Sequence, residues 1–142
     1  MTDRTLRSKR RQVGALCWIL ADEDQIQFLL VTSRDTGRWV TPKGNRMKGL
    51  ADAEAAAEEA MEEAGATGLL SSEPIGTFTY DKRLSGKARR LTAVDVYAIH
   101  VTHLFDRWPE AHERERRWFS RMDAIEAVDE PELKRLIAGF AP

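Results

Sequence analysis

The sequence predicts a mixed α/β domain of the α+β kind, with helices packed on a sheet. Three observations lead there. Apolar, strand-like runs occur both before and after one central alanine-rich helix. That helix gathers its alanines on one face, the form of a helix lying close against a sheet. The chain then closes with two short helical segments. At 142 residues it has the size of one domain, and no internal repeat, low-complexity segment or linker divides it, so a single domain over 1–142 is expected.

The elements follow in order. Residues 1–11 hold Arg4, Arg7, Lys9, Arg10 and Arg11 and almost nothing apolar, which reads as a basic tail. Val13–Leu20 and Ile26–Thr32 are rich in Ile, Leu, Val and Trp, with Ala21-Asp22-Glu23-Asp24 between them; they read as a hairpin of two buried strands. Trp39-Val40-Thr41 is a short extended piece that stops at Pro42. Pro42 to Gly49 contains Gly44, Asn45 and Gly49 and reads as a loop.

Ala51 to Ala64 is the clearest helix, because alanine has the highest helix propensity. Gly65 stands where a glycine ends a helix in the left-handed conformation. At 100° per residue Ala53, Ala56, Ala57, Ala60 and Ala64 share one face, and Glu58, Glu59, Glu62 and Glu63 fall opposite. Ile75–Tyr80 and Leu91–Val101 read as strands joined by a basic loop, Asp81 to Arg90. Arg117–Phe119 is a further short strand. Ser120 with Asp123 forms a helix-start pattern before Ala124–Val128. Pro131 suits the first turn of a last helix ending near Phe140.

Composition excludes several classes. With 22 Lys plus Arg against 23 Asp plus Glu, the net charge is -1, unlike a protein that coats nucleic acid. Cys17 is the one cysteine, so an intrachain disulfide is impossible and a cysteine zinc site is not expected. His100, His103 and His112 have no spaced ligand partner. The longest apolar run, Gly14 to Ala21, is shorter than the roughly 20 residues that span a bilayer. No apolar stretch follows the charged N-terminus, so a cytoplasmic location is expected.

The near-neutral sum hides a sharp pattern. Residues 1–49 carry 10 basic and 5 acidic residues, residues 50–63 carry 6 acidic and no basic ones, and the rest balance. A basic segment followed at once by an acidic helix points to a polyanion and a metal ion meeting at one site.

The helix carries the chemistry. Glu59, Glu62 and Glu63 are spaced i, i+3, i+4, and Glu58 stands four before Glu62. Each like-charged pair costs a few tenths of a kcal/mol in water. A hard divalent cation would remove that repulsion, and carboxylates with a backbone carbonyl are the oxygen ligands that Mg²⁺ or Mn²⁺ prefers.

From Gly44 the segment reads GNRMKGLADAEAAAEEAMEEAGA. It resembles the signature of the Nudix hydrolases: Gly, five residues, Glu, seven residues, Arg-Glu, apolar, any, Glu-Glu, any, Gly, apolar. Gly44, Glu59, Ala60, Glu62, Glu63, Gly65 and Ala66 match in register. Two positions depart: Leu50 replaces the first Glu, and Glu58 replaces the Arg. Beyond the box, over roughly residues 9–119, the chain is similar to the diphosphoinositol polyphosphate and diadenosine polyphosphate branch. Lys9-Arg10-Arg11, Ser33-Arg34, Arg38-Trp39-Val40, Val96-Tyr97, Trp108 and Arg116-Arg117-Trp118-Phe119 carry that similarity.

The resemblance implies an α/β/α sandwich, with the box helix on a mixed sheet and helices at the C-terminus. It implies metal-dependent hydrolysis of a phosphoanhydride bond in a dinucleoside polyphosphate or a diphosphoinositol polyphosphate. Nucleoside triphosphates and 5′-triphosphate RNA ends are the alternative substrates, and a Nudix-like module that binds without cleaving is the alternative class. Glu59, Glu62, Glu63 and the Gly44 carbonyl are the expected Mg²⁺ or Mn²⁺ ligands. An activated water attacks, with Glu62 or Glu63 as first choice of base and Glu113 or Glu115 in a late loop behind them. Arg10, Arg11, Arg34 and Arg38 lead the phosphate-binding candidates, followed by Arg89, Arg90, Arg116 and Arg117. Lys43 and Lys48 flank the glycine loop. Arginine outnumbers lysine 16 to 6, which suits bidentate phosphate contact. Neither a membrane nor DNA is an expected partner.

Overall fold

The computed structural model describes residues 10–142. Among the described residues eight strands and three helices follow in order: β1 Arg10–Leu20, β2 Ile26–Thr32, β3 Trp39–Val40, β4 Lys43–Asn45, α1 Asp52–Ala64, β5 Ala66–Leu70, β6 Gly76–Arg83, β7 Arg89–Leu104, β8 Arg116–Ser120, α2 Arg121–Ala127 and α3 Pro131–Gly139. A single-turn 3₁₀ helix, Asp22–Asp24, closes the β1–β2 hairpin. Of the expected basic tail, residues 1–9 lie outside the described residues. Arg10 and Arg11 are not tail: they open β1.

All eight strands join one sheet, ordered β3-β2-β1-β7-β5 along its main path. β4 also pairs with β1, β6 with β7 and β8 with β2. The β1–β7 pair is parallel and the others are antiparallel, so the sheet is mixed. β1 is buried on both faces, which is why its sequence is a continuous apolar run rather than an alternating one. Val13, Ala15 and Cys17 turn to the face covered by α1. Leu16 and Trp18 turn to the face covered by α2 and α3, among Phe28, Val94, Leu133 and Ile137. The expected three-layer sandwich is the result.

Each helix begins and ends for a local reason. α1 has alanine at its N-cap, and the Glu54 carboxylate accepts from the Ala51 N–H at 3.0 Å instead. It ends at Gly65, whose φ of 63° is the left-handed conformation a C-terminal glycine supplies. Ser120 Oγ accepts from the Asp123 N–H at 3.1 Å, the cap the sequence announces. Pro131 occupies the first turn of α3.

Three expectations need correction. The stretch after Pro42 is not all loop, since Lys43–Asn45 pairs with β1. β5 follows Gly65 directly, where no strand was expected. The basic loop shrinks to residues 84–88, because Lys82 and Arg83 pair with Arg90 and Arg89 as strand residues. No helix among the described residues is long and apolar enough to cross a membrane.

Candidate active site

The face that α1 presents to the sheet is not made of alanine alone. Its buried residues are Ala55, Ala56, Glu59, Ala60, Glu63 and Ala64. At 100° per residue they cover half of the helix with Glu63 at the centre of the arc. The expectation that all four glutamates face away from the sheet is therefore wrong for two of them: Glu59 is 8% exposed and Glu63 5%. Glu62 is half-buried and Glu58 exposed. Two carboxylates under one helix need compensation, since burying an unpaired charge is costly.

Part of that compensation is visible. The Lys43 N–H donates to Glu63 Oε1 at 3.3 Å. Arg114 places Nη2 3.6 Å from Glu63 Oε2 and donates from Nε to Glu110 Oε1 at 2.7 Å. Its Nη1 donates to the Thr32 carbonyl at 3.0 Å, which fixes the guanidinium in place. Even so, burial pushes the Glu63 carboxyl up to about 8, against the pull of Arg114. Burial also raises Glu59, which hydrogen-bonds to Glu63. Both carboxyls of this adjacent pair are thus shifted toward the protonated form. Lys43 is pushed down by burial, with Glu63 acting against that.

Gly44 lies against this pair. A Cβ at Gly44 would overlap the Glu59 carboxylate, the far end of that side chain, which would have to shift. Among the described residues no three His, Cys, Asp or Glu side chains stand together as a ready-made metal cage. The donor set still suits a small hard cation: Mg²⁺ keeps several waters and typically takes one or two carboxylates, with substrate phosphates completing the shell. Glu59 and Glu63 could provide that pair, with Glu62 next to Glu63 in sequence.

Glu63 opens onto a cavity of about 340 Å³ between β4, β6, β7 and the segment after β2. Seven of its fifteen described lining residues are Lys or Arg. Of the phosphate-binding candidates, Arg34, Arg38, Lys43 and Arg89 are among them. The charge of Arg10 acts on Tyr80, another lining residue. Lys43 Nζ lies 4.8 Å from the centre of the Tyr80 ring, whose hydroxyl donates to Gln12. Arg34 pairs with Glu113 at 2.9 Å and Arg38 with Asp129, in both cases at the surface where such pairs are weak and exchangeable.

The remaining candidates do not line the cavity. Arg11 makes a two-point contact with Asp95, 2.6 Å at the shorter arm. Arg116 donates to the Ala64 carbonyl and stacks on Trp108. Arg117 lies over Trp39. Lys48 is exposed in the loop before α1, and Arg90 is exposed on β7. Glu115 is exposed, and its backbone is tied to Thr32 at the start of β8. Glu113 is engaged with Arg34.

Sequence reasoning passed over Arg114, Lys82, Arg83 and Glu130, all of which line the cavity. Strand alternation could have found Arg114. Positions 114, 116 and 118 share one side of β8 and its approach, and Trp118 packs on the α1 side. Lys82 and Arg83 were hidden inside what read as a loop.

The domain is a mixed sheet between one helix and a helix pair, with Glu63 of the single helix lining a cavity rich in Lys and Arg. The NUDIX domain model matches residues 10–140, and the chain belongs to the Nudix family. It is 32% identical over 109 residues to "Nudix hydrolase 13, mitochondrial" of Arabidopsis thaliana, covering 73% of this chain and 54% of that protein. It is 30% identical over 121 residues to "Diphosphoinositol polyphosphate phosphohydrolase 3-beta" of Homo sapiens, covering 84% and 69%. The chain thus spans little more than half the length of the first plant relative. A solved C. elegans Ap4A hydrolase in a binary complex superposes with a TM-score of 0.65, covering 91% of this chain and 93% of that one. At 23% identity, what the two share is the fold.

Proposed function

We propose that this chain hydrolyses a phosphoanhydride bond in a polyphosphorylated small molecule, using a divalent cation held at Glu59, Glu62, Glu63 and the Gly44 carbonyl. The observation that carries the reading is the opening of Glu63 onto a cavity in which Lys and Arg make up seven of the fifteen described lining residues. Such a lining can neutralise several phosphates at once. Mg²⁺ or Mn²⁺ bound there would neutralise phosphate charge and acidify water.

This chain's own groups do the rest. Arg34, Arg38 and Arg89 bind the outer phosphates, and Lys43 and Arg114 sit beside the carboxylates where the reacting phosphate enters. Water gives up a proton to the base as its oxygen adds to one phosphorus, the bond from that phosphorus to the bridging oxygen breaks, and the other phosphate leaves with that oxygen. Glu62 is the better base of the two first choices, because Glu63 already holds Arg114 and the Lys43 N–H. The name of the human relative supports diphosphoinositol polyphosphates as substrate, and the sequence resemblance adds dinucleoside polyphosphates.

The test is a comparison of kcat/KM for diadenosine polyphosphates, diphosphoinositol polyphosphates, nucleoside triphosphates and 5′-triphosphate RNA. The reading expects the first two to lead. Faster turnover of simple triphosphates or RNA ends overturns the substrate class. Binding without turnover of any of them makes the domain a ligand-binding module.

A further inference from the structure

The last turn of α1 is held from outside by one segment, residues 105–116. The Glu110 N–H donates to the Glu62 carbonyl at 3.0 Å, and the Phe105 N–H to the Gly65 carbonyl at 2.8 Å. Trp108 Nε1 donates to the Glu63 carbonyl at 3.0 Å. Arg116 Nη1 donates to the Ala64 carbonyl at 2.8 Å. Four successive carbonyls at the end of a helix, which ordinarily lack intrahelical partners, are thus each claimed by a donor. Two of those donors are side chains, and they brace each other: the Arg116 guanidinium carbon lies 3.9 Å from the centre of the Trp108 ring. Gly65 makes room for them, since a Cβ there would come within 2.9 Å of Arg116 Nη1 and 3.0 Å of Trp108.

Two of the claimed carbonyls belong to Glu62 and Glu63. The same segment also delivers Arg114 to the Glu63 carboxylate. Backbone and side chain of Glu63 are therefore fixed by one piece of chain. Arg116 further brings a positive charge to the negative end of the helix dipole, where two carboxylates already crowd.

We propose that Trp108 and Arg116 are positioning residues: they clamp the last turn of α1 so that Glu62 and Glu63 stand ready for a divalent cation. This rests on the metal reading above. Partners of this kind, one shell behind the ligands, typically contribute about 10–100-fold in metal affinity or activity.

The test is Mn²⁺ titration by calorimetry on wild type, Trp108→Phe, Arg116→Gln and Arg116→Lys, with melting temperature and steady-state kinetics for each. Trp108→Phe keeps the ring under Arg116 and deletes only the N–H donor. The clamp predicts an Mn²⁺ Kd raised about 10-fold or more in Trp108→Phe and Arg116→Gln. It predicts a parallel fall in kcat, KM for the polyphosphate near wild type, and partial recovery in Arg116→Lys. Folded variants that bind Mn²⁺ and turn over like wild type overturn it, even if their melting temperatures fall. Should Trp108→Phe not fold, Arg116→Gln, half-buried at the wild-type position, decides alone. Wild type that takes up no Mn²⁺ removes the metal reading itself, and the clamp's purpose with it.

Discussion

The Arg114 guanidinium stands 3.6 Å from the Glu63 carboxylate, with the two side chains only 9% and 6% exposed. Breaking a buried pair costs about 3–5 kcal/mol when the surviving partner must stay charged. Glu63 can take a proton instead, because burial already holds its carboxyl at about 8. Arg114→Ala is therefore expected to lose more stability in urea at about pH 9 than at about pH 6. Equal losses at the two pH values contradict the pairing.

Glu63 itself makes stability depend on pH. Its carboxyl rises from 4.5 to about 8 through burial, so the unfolded chain releases this proton first. Stability from Glu63 is complete below about 4.5 and is lost as pH rises through about 8. Lys43 is pushed down and has the opposite sign, so the comparison is made against Glu63→Gln, which leaves the lysine in place. The melting temperature of the chelated Glu63→Gln variant is expected to gain on wild type steadily from acid to about 8. A constant gap contradicts it. Adding Mn²⁺ closes the gap by stabilising wild type alone.

Gly44 is expected to accept a side chain only where the Glu59 carboxylate is displaced. A Cβ there overlaps the Glu59 carboxylate, so Gly44→Ala forces either β4 or Glu59 to move. A loss of about 1–3 kcal/mol in urea denaturation follows from such overpacking, with weaker Mn²⁺ binding on titration. Unchanged Mn²⁺ affinity means that the Glu59 carboxylate is not part of the cation site.

The Glu58 departure from the family signature is expected to be harmless to the site. Glu58 is exposed, and Arg114 already stands beside Glu63. Glu58→Arg would meet Glu54 and Glu62 at four-residue spacing and raise stability by about 0.5–1 kcal/mol in thermal or urea melts. Its kcat should stay near wild type, whereas Arg114→Ala should lose most of it. A large gain in kcat from Glu58→Arg would show that the missing arginine had mattered.

Much of the fold was legible because its signals are local. The β1–β2 hairpin, the alanine-rich α1 with Gly65 behind it, the Ser120 cap and Pro131 all stand where sequence reasoning puts them. β4 was not legible, since Pro42, Gly44 and Asn45 read as a turn and only pairing with β1 makes the stretch a strand. β5 is five residues with Gly68 at a register shift, too short and irregular to show alternation. The charged ends of β6 and β7 read as loop because their side chains are solvated on the strand.

The site was legible in its residue types more than in its geometry. Spacing put Glu59, Glu62 and Glu63 together, but a helical wheel centred on alanine turned them all outward. Glu59 and Glu63 are in fact carried under the helix, a cost that makes sense where a cation is to be held. Arg114 was missed because Arg116 and Arg117 beside it look equivalent in sequence. Which of the three faces Glu63 is set by β8 pairing with β2.

The proposed hydrolysis in the cationic cavity depends on a cation gathered by the α1 carboxylates. The most direct measurement is phosphate release from a dinucleoside or diphosphoinositol polyphosphate by wild type and Glu63→Gln, each with Mg²⁺ and with chelator. The account predicts turnover by wild type that vanishes with chelator, and a folded Glu63→Gln variant slower by several orders of magnitude. Wild-type turnover that persists in chelator, or Glu63→Gln turnover equal to wild type, would contradict it.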